Sequence, residues 1–169
     1  MDSSSKCNNI ANALRKLKRY DEARAEIERA IECYRPFGIA VETWKSFDIL
    51  HDIEIADGNQ QAARAAWAQA RQAYLAYRQQ GGYPSQGNGG KIVEHILGLL
   101  SQQKSTEVNA LIHQPGNDPN ASESLKKLMQ AVLTILSGSR DPALADDPAL
   151  DYDDAAEILF LIARLERLQ

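Results

Sequence analysis

The chain has 169 residues, of which 44% are hydrophobic and 25% charged. That balance excludes a disordered chain, and the length suits one domain of ordinary size. Nineteen Lys and Arg against 23 Asp and Glu leave a net charge of −4, which weighs against a nucleic-acid partner, because a phosphate-binding surface carries a basic footprint.

No stretch approaches the roughly 20 apolar residues needed to cross a bilayer. The opening residues Met1 to Lys6 lack the apolar run of a secretory signal. A cytoplasmic protein without a membrane partner is expected. Cys7 and Cys33 stand alone, without disulfide-framework or metal-ligand spacing, so packed, reduced thiols are expected.

Apolar spacing predicts helices along the whole chain. The first runs from about Lys6 to Leu17, with Cys7, Ile10, Ala11 and Leu14 on one face. The second starts near Asp21, carries Ala23, Ile27, Ala30, Ile31 and Tyr34, and should stop before Pro36. The third spans about Ile39 to Ala56 and ends at Gly58. The fourth spans about Gln60 to Gln80, with Ala63, Trp67, Ala70, Tyr74 and Tyr77 in one stripe. Residues 81–90 contain five glycines and a proline and read as a loop.

Ile92, Val93, Ile96, Leu97 and Leu100 mark the next helix, and Val108, Leu111 and Ile112 a short one. A loop over Gln114 to Asn120 precedes an amphipathic helix carrying Leu125, Leu128, Met129, Val132, Leu133 and Leu136. Asn120 and Glu123 have capping-box spacing at its start. Asp-Pro-Ala-Leu then occurs twice, at residues 141–144 and 147–150, in a segment expected to pack as a fixed connection. The last helix starts near Asp153. It is apolar on several sides, so it needs more than one neighbour. No segment alternates with period two for long, so no strand is expected.

Residues 7–31 and 47–71 share a pattern. Ala23, Ile27 and Ala30 are followed 40 residues later by Ala63, Trp67 and Ala70. Small residues let paired helices approach closely, and the large one between them fills the gap to the neighbour. With Tyr20 and Gly58 at the turns, the arrangement resembles the tetratricopeptide repeat. The likeness covers about residues 6–80. It departs from the family at His51 and Glu54, which stand where a small residue and a tyrosine belong, and its period of 40 exceeds the family's 34. The larger arrangement is similar to the C-terminal end of tetratricopeptide arrays in large bacterial signalling proteins.

The resemblance implies an all-α fold: two long repeat-like hairpins over 6–80, a Gly-rich loop over 81–90, and a helical capping bundle over 91–169. It also implies a protein-interaction scaffold, the terminal part of something longer. First helices of such repeats line a groove that binds peptides. By position, the groove would present Asn8, Asn12, Arg15 and Lys16 from the first helix. From the third it would present Lys45, Asp48, Asp52 and Ile55, with Trp44 near the edge. The expected partner is a protein or peptide. The alternative is self-association as a homodimer through Phe160 and Leu161.

Other chemistry finds little support in the residues. His51 and Glu54 share a helix face, but no second His or Cys pair is near, so an interhelical polar contact is expected rather than a metal. Gly89-Gly90-Lys91 lacks the earlier glycine and the following Ser or Thr of a phosphate loop. The aspartates from 141 to 154 lack a calcium-loop pattern, and Asp151, Asp153 and Asp154 suit a helix start. No nucleophile–base arrangement is apparent, so neither a cofactor nor catalysis is expected.

Overall fold

The computed structural model describes residues 3–40, 42–85, 87–104, 106–108, 110–111 and 121–167. Every regular element among them is helical. The fold is all-α, and no described helix is long and apolar enough to cross a membrane. The chain divides into two compact units, Met1–Tyr77 and Arg78–Gln169.

In the N-terminal unit, α1 (Ser3–Lys16) and α2 (Tyr20–Tyr34) form a hairpin with a short connection. Ala11, Ala23, Ile27, Ala30 and Ile53 make its buried core, with Cys7, Leu14, Tyr20, Ile49 and Leu50 packed against them. Three of the five core residues are alanines, which allow close helix approach. Ile10, expected on the inner face, is 47% exposed, and Ala11 holds the fully buried place. Cys33 is likewise exposed rather than packed.

Beyond α2, residues Arg35–Ala40 form a 3-10 turn instead of the start of a long third helix. Pro36 disfavours continuation of the α-helix, and Gly38 has φ +57°. Accordingly α3 starts late, at Thr43, and runs to Asp57. Gly58 closes it in the left-handed conformation, its N–H donating to the Glu54 and Ile55 carbonyls.

The next helix, α4 (Gln60–Gln79), follows at once. Trp44 near the start of α3 stacks on Tyr74 and Tyr77 at the far end of α4, at centroid distances of 5.5 and 4.5 Å. His51 Nδ1 lies 2.9 Å from the Ala63 carbonyl near the start of α4, which makes Nδ1 the protonated nitrogen. These contacts run in opposite chain directions, so α3 and α4 are antiparallel. Trp44 is buried, and its expected place at a recognition edge is corrected: its ring is committed to the hairpin core.

A charged network joins α2 to α3. Arg24 donates to Glu54 at 2.6 and 3.1 Å, to Asp57 at 2.8 Å and to Asp21 at 2.8 Å. Asn59 adds a third donor contact to Glu54 at 2.8 Å. Glu54 is buried. The Arg24 bonds hold its carboxyl below the usual range despite that burial. Glu54 is thus a buried carboxylate balanced by a paired charge.

The C-terminal unit is built around its last helix. It contains α5 (Asn88–Ser101), α6 (Glu123–Leu136), a 3-10 turn (Pro142–Ala145) and α7 (Tyr152–Glu166). Eight consecutive or near-consecutive residues from Asp154 to Ile162 of α7 are buried, because α5, α6 and the 3-10 turn all pack on it. Phe160 and Leu161 belong to this interior. Their assignment to a dimer contact is therefore corrected: both side chains are already covered within one chain.

Three start signals differ from expectation. Ser122, not Asn120, caps α6, its hydroxyl accepting from the Leu125 N–H at 3.1 Å; Asn120 lies outside the described residues. The Gly-rich segment is helical from Asn88 onward, so Gly89 and Gly90 lie inside α5. Asp154 is not a solvated dipole partner but a buried side chain.

The duplicated Asp-Pro-Ala-Leu is a duplicated local structure. Asp141 accepts from the Ala143 N–H and Asp147 from the Ala149 N–H, both at 2.9 Å. Each aspartate thus replaces a turn acceptor across its proline. Ala145 and Leu150 then bury against the unit, and Lys127 of α6 pins Asp147 at 3.0 Å.

Ser124 of α6 ties down the start of α7. Its hydroxyl donates to Asp154 at 2.5 Å and accepts from the Asp151 N–H at 2.8 Å. Burial pushes the Asp154 carboxyl up to about 6, the Ser124 bond works against that rise, and Asp153, Asp151 and Glu157 add to it. A folded-state value above the unfolded one means that the folded chain holds a proton which the unfolded chain releases. This contribution should therefore weaken stability as pH rises from about 4 to about 6 and level off above that. The expected result in urea unfolding is a wild-type loss over that window that Asp154→Asn largely removes. An unchanged pH profile in the variant would contradict it.

Candidate functional site

The groove residues chosen by position can be followed one by one in the N-terminal unit. Two contacts set the geometry. Ser46 of α3 donates to Asn8 Oδ1 of α1 at 3.0 Å. Two turns further along both helices, Arg15 pairs with Asp52 at 3.1 Å. Both helices advance in the same direction between the two contacts, so α1 and α3 lie side by side and parallel. Asn8, Asn12, Arg15 and Asp52 meet along this seam.

The seam orients two carboxamides. Arg15 can only donate, and its Nη2 reaches Asn12 Oδ1 at 3.4 Å. The Asn12 oxygen therefore faces Arg15, and its NH2 group faces away. Asn8 is held in the same way by its oxygen, through Ser46. Both asparagines are half-buried. Neither NH2 group has an acceptor among the described residues, and neither is shut off from solvent. The result is two oriented donors one helical turn apart on the α1 face.

Arg15 itself is constrained. One terminal nitrogen is bound to Asp52 and the other to Asn12, while its Nε is buried without an acceptor. Such an unsatisfied donor costs about 1–3 kcal/mol.

The remaining candidates do not join the seam in one cluster. Lys16 is exposed. Lys45 is exposed and pairs with Glu42 on its own helix edge. Asp48 is half-buried and already engaged. Ile55, one turn beyond Asp52, is 45% exposed and gives the stripe an apolar end.

Two contributors were not foreseen. Ser46 is fully buried, and its value lies in reaching across to Asn8, a pairing that helical periodicity within one segment cannot reveal. Arg24 and Glu54 brace α2 against α3 behind the seam. Their signal, a glutamate at an inward position and an arginine 30 residues earlier, is visible only once the helices are placed.

Among the described residues no group of three or more His, Cys, Asp or Glu could hold a metal ion. The chain matches no family model, and neither a curated protein nor a solved structure shows significant similarity to it.

Proposed function

We propose that the N-terminal unit is a tetratricopeptide-like peptide-binding module, and that the chain serves as an interaction scaffold. The observation that carries this reading is the pair of oriented, unpaired carboxamide NH2 groups of Asn8 and Asn12 on the α1–α3 seam. A peptide backbone offers carbonyl acceptors at regular intervals, and an asparagine fixed through its oxygen meets them with no reorganisation cost. The parallel first helices, the antiparallel hairpins and the buried alanines at a 40-residue spacing support the repeat assignment. Asp52 and Arg15 supply charge beside the donors, and Ile55 supplies an apolar contact.

Peptides selected from a random displayed library against the whole chain test the reading. Asn8→Ala combined with Asn12→Ala should weaken the selected peptides about tenfold or more, since two side-chain hydrogen bonds are worth about 1–3 kcal/mol together. Both side chains are half-buried and Asn8 accepts from the buried Ser46 hydroxyl, so the thermal midpoint should also fall, and affinities are compared at a temperature at which both chains are folded. Unaltered peptide affinity in the double variant would count against the seam as the site.

A further inference from the structure

The C-terminal unit contains a second feature that peptide binding at the seam does not use. A cavity of ≈ 510 Å³ opens between the 81–84 turn, α5 and the last turns of α7. Its size falls in the range of about 300–1,000 Å³ usual for small-molecule sites. Leu97 gives the cavity an apolar wall, with the buried Phe160 behind it, and Tyr83 stands beside them with 84% of its surface exposed.

The charges at this cavity are unevenly committed. Arg78 stacks on Phe160 at 4.4 Å and donates to Glu157 at 2.7 Å and to Glu94 at 2.6 Å. One guanidinium thus serves two carboxylates, and the three groups together keep one net negative charge, with Glu94 half-exposed at the rim. Arg164 and Arg167 remain. Both line the cavity, both are exposed, and neither has an ion pair among the described residues. Arg164 lies in the last turn of α7 and Arg167 is its C-cap, three residues on. In a chain of net charge −4, two adjacent unpaired guanidinium groups beside an apolar wall form a local positive site.

We propose that this cavity binds an organic anion with an aromatic or apolar body, its carboxylate held by Arg164 and Arg167 and its body against Leu97 and Tyr83. Guanidinium groups suit this role because they bind carboxylates bidentately. The carboxylate can come from a free small molecule or from the end of a peptide chain.

Titration of the whole chain, followed by amide NMR shifts, separates the outcomes. The probes are phenylacetate, its neutral counterpart 2-phenylethanol, and acetyl-Ala-Phe with a free or an amidated C-terminus. The expected result is saturable binding of phenylacetate or of the free-acid peptide. The neutral or amidated counterpart should bind at least tenfold more weakly. Tighter phenylacetate marks a small-molecule site, and tighter free-acid peptide marks a chain-end site. Arg164→Gln with Arg167→Gln should abolish the preference for the anion while leaving the urea midpoint unchanged, because both side chains are exposed. Equal binding of neutral and anionic probes, no saturable binding of either acid, or an unaffected double variant would overturn the proposal.

Discussion

Glu157→Ala is expected to destabilise the C-terminal unit by about 3–5 kcal/mol. Glu157 has no exposed surface and Arg78 keeps only 2% of its side chain exposed. Arg78 donates to Glu157 at 2.7 and 3.3 Å, and its other bonds run to Glu94 and to the Gly82 carbonyl. Removal of the glutamate leaves a cation in a dry site, with the partly exposed Glu94 and the Gly82 carbonyl still bound to it. The penalty is that of the stranded charge rather than of the lost bond. Arg78→Met with Glu157→Leu should therefore recover most of the loss, since apolar residues of similar volume remove both desolvation costs. Urea unfolding of the single and paired variants checks this. A single variant that costs less than about 1 kcal/mol would place Arg78 in reach of water.

Gly89→Ala and Gly98→Ala should move stability in opposite directions, although both glycines lie in α5. A Cβ on Gly89 would sit 1.9 Å from Asp154 Oδ1 and 2.6 Å from Leu128 Cδ2. Asp154 is itself fixed by Ser124, and Leu128 is fully buried, so neither neighbour can retreat cheaply. A loss of about 1–3 kcal/mol is expected from overpacking. A Cβ on Gly98 meets nothing within 4 Å, and alanine there should add about 0.5–1 kcal/mol through helix propensity. Thermal unfolding of the two variants side by side is the measurement. Equal effects would show that α5 does not approach α6 and α7 this closely.

The helices themselves were legible because their signals are local. Gly58 and Pro36 mark the ends of α3 and α2, and the alanine stripes mark the faces that touch. Where reasoning from the residues failed, a long-range contact decided the outcome. Gly89 and Gly90 read as loop because glycine weakens a helix; they lie within α5, and glycine suits these helical positions because Asp154, Leu128 and Pro84 leave no room for a side chain. Asp154 reads as a surface acid because helix starts favour negative charge; it is buried, and Ser124 donates to it. Phe160 and Leu161 read as surplus apolar groups, yet three neighbouring elements around α7 consume them.

The candidate site divides in the same way. Asn8, Asn12, Arg15 and Asp52 follow from the positions that the repeat resemblance assigns to a groove, one stripe on each first helix. That the oxygens of both asparagines are occupied, and their NH2 groups are not, depends on Ser46 and Arg15 and could come only from coordinates. Lys45 and Trp44 share helix α3 with Asp52, but an adjacent glutamate holds one and the hairpin core the other.

Asparagine side-chain amides give their own signals in nitrogen-edited NMR spectra, which allows the central claim to be read at the atoms concerned. A library-selected peptide titrated into the whole chain should shift the Asn8 and Asn12 NH2 resonances together, with one saturation curve shared by the backbone amides of α1 and α3. Saturable peptide binding that leaves both carboxamide signals in place, with shifts confined to other helices, would contradict the claim that the α1–α3 seam is the recognition surface.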